Sequence, residues 1–181
     1  MEIIESPFQD CYLLKPRVIE DDRGYFFEGF NRRSFHSLTG LNVNFVQDNQ
    51  SFSTYGVVRG LHAQDGEHAQ AKLVRVLDGE VLDVVVDARP ESSTYGKCFS
   101  IILSAENKLQ LFIPRGFYHG FSVLSKEAVF FYKCDNYYNK LSERGIYYAD
   151  PSLSIDWKVP KEVQLLTEKD LGLPLFDRGQ I

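Results

Sequence analysis

The sequence predicts an all-β fold, a sandwich or barrel with a few short helices, and three observations carry that reading. Short apolar runs rich in β-branched and aromatic residues recur along the whole chain, turn-rich stretches separate them, and helical periodicity is scarce. With 44% hydrophobic and 14% aromatic content over 181 residues, the chain can bury a substantial core, and no stretch reads as a linker, repeat or low-complexity tract. Residues 1–181 are therefore expected to form one domain, with an extended C-terminal arm from about residue 158 that contains Pro160 and Pro174.

Each element follows from local pattern. The opening "MEIIESPFQDCY" lacks the basic start and apolar run of a secretion signal and belongs to long N-terminal strands. "DDRG" is a turn, and "GYFFEGF" after it reads as a strand. "NRRSFHSLTG" reads as a helix, with Asn31 at its start, Phe35 and Leu38 three apart, and Gly40 at its end. "VNFVQDN" is the next strand-like run. "AKLVRVL" and "EVLDVVVDA" flank Asp78-Gly79, which predicts a hairpin between them. "PESSTYG" and "SAEN" are turns among the runs "CFSIIL", "LQLFIP", "YHGFSVL", "AVFFYKC" and "GIYYA", and "TEKDLG" predicts a single helical turn.

Charge and cysteines exclude several function classes. Twenty Lys+Arg against 25 Asp+Glu give a net charge of -5, so the chain has no overall basic field for nucleic acid or an anionic membrane. An anionic ligand must be met by a local cluster. The three cysteines are odd in number and far apart, which indicates neither a disulfide framework nor a zinc site. No run of about 18 apolar residues occurs. These features together predict a soluble, cytoplasmic protein.

The segment "GVVRGLHAQDGEHAQAKLVRVLDGEVLDVVVDARP" concentrates the chemistry. Arg59 and His62 lie at one end of an apolar, strand-like run, and Lys72 and Arg75 open the next. Burying such groups without purpose is destabilising, so a cavity at the barrel mouth is expected to receive them. His36 and His68 are expected to be ordinary loop or surface residues.

"PRGFYHGF" reads Pro-x-Gly-x-x-His and is similar to the second motif of the cupin superfamily, small jelly-roll barrels in which that histidine often binds metal. The companion motif would supply His-x-His and a carboxylate. With four histidines, and His62 and His68 too far apart to act as that pair, no metal site and no cofactor are expected.

Nine blocks in order, "DDRGYFFEGFN", "FVQDNQSFS", "GVVRGLHAQ", "AKLVRVLDGEVLDVVVDAR", "LSAENKLQLFIPRGFYHGF", "FYKCDNYY", "SERGIYYADP", "IDW" and "LTEKD", resemble the dTDP-4-dehydrorhamnose 3,5-epimerases over nearly the whole chain. The resemblance implies a metal-free, cupin-type jelly-roll barrel. It also implies a homodimer that converts dTDP-4-dehydro-6-deoxy-D-glucose to dTDP-4-dehydro-L-rhamnose, a step in making dTDP-L-rhamnose. By the same resemblance His62 is the base, Asp170 its carboxylate partner, Tyr132 the acid, and Lys72 the cation at the ketone oxygen. Arg23, Glu28, Gln47, Asp48, Asn49, Arg59, His119, Glu143 and Lys169 are implied as substrate contacts.

The chemistry accounts for these residue types. C3 and C5 both flank the C4 ketone, so loss of either proton gives an enolate, and inversion needs a base on one face and a donor on the other. Imidazole, with a reference pKa of about 6.5, is a suitable base. Guanidinium groups suit the diphosphate, whereas Glu28 would repel it and is expected at the base or sugar. Phe26 and Tyr138 are candidates for stacking on thymine, with core packing the competing expectation. Ala63 departs from the family, which more often shows an aromatic there, and reshapes the local pocket. Two alternatives stay open: a relative that inverts only one carbon or isomerises the keto group, and a non-catalytic sugar-nucleotide-binding cupin.

Overall fold

The computed structural model describes residues 1–177. Alternating burial builds two antiparallel sheets that face one another. The first has six strands in the order β1 (Glu2–Phe8), β2 (Cys11–Lys15), β10 (Gln110–Ile113), β7 (Lys72–Asp78), β12 (Glu127–Cys134) and β5 (Gln47–Thr54). The second has five: β13 (Glu143–Gly145), β6 (Val58–Gln64), β11 (Phe117–Val123), β8 (Glu80–Asp87) and β9 (Cys98–Ser104). A small hairpin of β3 (Ile19–Asp21) and β4 (Gly24–Phe26) stands apart from both. The arrangement is a mostly-β, cupin-type jelly roll, as the sequence predicts.

Both sheets carry packing on both faces, which explains why β8 is buried at nearly every position. Leu13, Val74, Leu111 and Phe130 from the first sheet meet Val81, Val85, Leu103 and Phe121 from the second in the central core. Behind the first sheet, Leu14, Leu73 and Phe112 pack under Phe35 of α1 (Arg32–Thr39). Behind the second, Leu82, Val84 and Val86 pack against Tyr148, Trp157 and Phe176. The α1 helix keeps its expected ends: the Asn31 side chain accepts from the N–H groups of Arg33 and Ser34, and Gly40 closes it with φ of 75°.

Two local expectations are corrected. Asp78-Gly79 joins no hairpin, because β7 pairs with β10 and β12 while β8 pairs with β11 and β9 in the opposite sheet. The turn is a corner between sheets; Gly79 has φ of 76°, and a Cβ there would collide with the Glu127 carbonyl. Arg75 does not join Lys72, since residues three apart in a strand face opposite ways. Its guanidinium lies over the rings of Phe27 and Phe131 on the outer face of the first sheet, 5.5 and 5.4 Å from their centroids. Three strands also depart from their predicted runs: β4 ends at Phe26, β5 begins only at Gln47 and runs on to Thr54, and β13 stops at Gly145.

The C-terminal segment positions part of the site. Leu165 donates its N–H to the Gly56 carbonyl at 2.8 Å and accepts from Val58 at 2.9 Å, laying the chain along the start of β6. The one-turn helix α2 (Glu168–Leu171) follows, capped by Thr167, whose hydroxyl accepts from the Asp170 N–H. No helix among the described residues is long and apolar enough to cross a membrane.

Candidate active site

A cavity of about 700 Å³ opens between the two sheets at one end of the barrel. Its walls hold Arg59, His62, Lys72, His119, Tyr132, Glu143, Lys169 and Asp170, together with Asn49 and Tyr138. The polar residues of the apolar strands therefore converge on one space.

His62 reaches the cavity because β6 approaches β11 closely. Gly60 has φ of 115°, and a Cβ on it would lie 2.7 Å from the Gly120 Cα, so two glycines face one another where a side chain would separate the strands. His62 then stands opposite His119 in register. Its Nε2 lies 2.7 Å from Asp170 Oδ1, and a carboxylate acceptor fixes the proton on Nε2, leaving Nδ1 as the basic nitrogen. Burial pushes the His62 pKa down, opposed by the charge and hydrogen bond of Asp170.

A base works only when unprotonated, so the acid limb of kcat/KM is expected below the ordinary histidine value of about 6.5. Asp170→Asn removes the opposing charge and is expected to move that limb lower still while slowing turnover. A limb that moves upward in this variant would contradict the assignment.

Tyr132 and Lys72 come from the facing sheet. On β12, Phe130, Tyr132 and Cys134 alternate inward, and Lys72 is the register partner of Cys134 on β7. The Lys72 ammonium lies 5.9 Å from the centre of the Tyr132 ring. Burial pushes the Tyr132 phenol up, which keeps it protonated, and pushes Lys72 down. Cys134 beside them is raised to about 11 by burial, so its thiol is neutral.

The mouth is polar. Glu143 accepts from Lys169 Nζ at 2.7 Å and from the Tyr138 hydroxyl at 3.1 Å, and the Lys169 hydrogen bond holds its carboxyl below the usual range. Tyr138 is 53% exposed and Phe26 is 69% exposed, so neither is packed in the core. Arg59 donates to the Ser53 hydroxyl at 3.1 Å and is joined to no carboxylate among the described residues.

The other predicted contacts scatter. Asn49 lines the cavity; Gln47 sits behind it, donating to Asn49 and accepting the Tyr138 N–H. Asp48 points away and pairs with Lys133, as alternation along β5 requires. Arg23 lies exposed on the β3–β4 hairpin in a salt bridge to Asp21, and Glu28 holds the Asn31 side chain, both outside the cavity lining. His68 bonds the Asn139 side chain and His36 faces the Leu41 carbonyl, local roles of the expected kind. A buried carboxylate, Asp83, bonds His119 at 2.8 Å. Its signal in the sequence is the acid that interrupts the apolar run of "EVLDVVVDA".

Barrel and cavity are those of an isomerase of the cupin type, with His62 on one sheet and Lys72 and Tyr132 on the facing one. The dTDP-4-dehydrorhamnose 3,5-epimerase family matches residues 5–178, and the chain belongs to that family. It is 51% identical over 172 residues to the dTDP-4-dehydrorhamnose 3,5-epimerase of Shigella flexneri, covering 95% of this chain and 94% of that protein. The crystal structure of the epimerase from Elizabethkingia anophelis superposes with a TM-score of 0.95 at 56% identity, covering 100% of this chain and 99% of the other. The Legionella pneumophila enzyme, in complex with dTDP-4-keto-L-rhamnose, superposes at 0.91 with 46% identity, covering 96% and 92%.

Proposed function

We propose that this protein epimerises C3 and C5 of dTDP-4-dehydro-6-deoxy-D-glucose, giving dTDP-4-dehydro-L-rhamnose for dTDP-L-rhamnose biosynthesis. The observation that carries the reading is the placement of His62 and Tyr132 on opposite sheets of one cavity. A sugar ring between them offers one face to a base and the other to a donor. His62 Nδ1 takes the proton from the carbon beside the ketone. Asp170 stabilises the imidazolium, the Lys72 ammonium meets the enolate oxygen, and Tyr132 returns a proton from the opposite side. Each α-carbon passes through the same cycle, so one cavity serves both. Because this cycle needs no metal, protein treated with a chelator is expected to form the product at an undiminished rate. Activity lost to chelation and restored by one divalent ion would overturn the scheme.

The diphosphate is assigned to Arg59, the cavity arginine without a carboxylate. Lys169, Glu143 and Tyr138 at the mouth suit the nucleoside. Arg59→Ala is expected to weaken dTDP binding by about 2–5 kcal/mol. Isothermal titration showing unchanged affinity would place the diphosphate elsewhere.

Arg23 and Glu28 reach a substrate only if a second copy brings them, and this supports a homodimer. The hairpin that bears Arg23 exposes Ile19, Tyr25 and Phe26, an apolar surface suited to burial against a partner. Mixing Arg23→Ala with His62→Ala protein is expected to restore activity, since a mixed dimer then holds one intact site. Absence of rescue would contradict the shared site. The buried thiols of Cys11 and Cys134 support a reducing compartment, the cytoplasm.

A further inference from the structure

Asp83 occupies an inward position of β8 between Val81 and Val85, and all three are completely buried. Its register partner on β11 is Phe121, part of the central core, so a valine at 83 would continue the packing on every side. The chain places a carboxylate there instead. Oδ2 accepts from His119 Nε2 at 2.8 Å, while Oδ1 is buried with no hydrogen-bond partner among the described residues. A half-satisfied buried carboxylate destabilises a fold, and burial correspondingly raises the pKa of Asp83. Stability does not explain its presence.

Its neighbours do. His119 lines the cavity with its ring stacked near Phe130 and opposite His62 in register. Lys72, buried on the facing sheet, feels the Asp83 charge, and Asp83 feels the ammonium. The other ionisable groups around Lys72 are already committed. Asp170 on α2 serves His62 on β6, and Glu143 on β13 serves Lys169 and Tyr138. Tyr132 and Cys134 on β12 are neutral in their protonated forms, and Arg59 on β6 adds a second cation. Asp83 is the carboxylate left to balance Lys72.

We propose that Asp83 is a positioning residue of this site: it fixes the His119 ring in the cavity wall by its hydrogen bond and holds Lys72 as an ammonium where the enolate oxygen develops. The proposal rests on the role given to Lys72 above. Asp83 touches no substrate; it acts through the two side chains that do.

Asp83→Asn keeps the shape and an acceptor for His119 while removing the charge. Its kcat is expected to fall by about 10²-fold, the scale of losing one electrostatic contribution to an oxyanion. Without the negative charge Lys72 loses its proton sooner, so the alkaline limb of the kcat profile moves to lower pH. Affinity for dTDP stays unchanged, and the substitution adds no further loss in a Lys72→Ala background. A structural carboxylate would change thermal stability and leave the limb in place. A folded Asp83→Asn protein with unchanged kcat, or with reduced kcat and an unmoved limb, overturns the proposal. Should that variant not fold, Asp83→Val decides. A folded valine variant that binds dTDP but does not turn over supports the proposal; an active one, or failure of both to fold, overturns it. Full activity in Lys72→Ala would remove the role of Lys72 itself, whereas an inactive Lys72→Ala beside an active Asp83→Asn removes only the present inference.

Discussion

His62→Ala is expected to lose solvent exchange at both C3 and C5, with kcat reduced by about 10²–10⁴-fold, the contribution of a positioned general base. The size of the effect follows from geometry. His62 is held by Asp170 at 2.7 Å and placed by the close approach of Gly60 to Gly120, so its imidazole is oriented and keeps a basic nitrogen, Nδ1. His119 is the less accessible of the two imidazoles, its side chain 8% exposed against 30% for His62, and is not expected to substitute. The proposed binding groups are others, Arg59 above all, so dTDP affinity should persist. Proton NMR in deuterated water, with titration of dTDP as the control, reads both quantities. Near-normal exchange in the variant would remove His62 as the base.

Tyr132→Phe is expected to separate the two halves of the reaction. Removal of a proton needs the His62 side alone, but inversion needs a donor from the facing sheet. A phenol, even one raised by burial above its reference pKa near 10, can protonate a far more basic enolate. In the phenylalanine variant deuterium should therefore enter through His62 with retention, most clearly at C5, while the L-configured product declines by about 10²-fold or more. An NMR time course that follows label and configuration separately at C3 and C5 makes the distinction. Equal loss of exchange and inversion would assign Tyr132 to enolate formation or substrate placement, and loss of neither would make it a buried strand tyrosine.

The parts of this account that were legible in the sequence share a physical cause. Arg59, His62 and Lys72 stood out because polar groups in apolar strands demand a cavity, and all three line it. The caps of α1 were legible because Asn31 and Gly40 act on adjacent backbone. Long-range relations were not. Asp170 lies 108 residues from His62, and pattern alone does not pair them; the family resemblance did. Asp78-Gly79 specifies a reversal of the chain but not the sheet that receives it, and burial of β8 on both faces removed the alternation that would have told the sheets apart. Asp83 was hidden differently, since only the partner His119, 36 residues away, distinguishes it from the other acids of its strand. Arg23 and Glu28 carried a substrate expectation that one chain's cavity does not accommodate, which is why the proposed site draws on a second copy.

The central claim is that this cavity inverts carbon centres by α-proton exchange between facing sheets, and the wild-type reaction in deuterated water tests it most directly. Incubation with dTDP-4-dehydro-6-deoxy-D-glucose is expected to give product bearing deuterium at both C3 and C5, each in the inverted configuration. Label at one carbon only would reduce the enzyme to a single epimerase, and inversion without label, or no turnover of the bound keto sugar, would contradict the account.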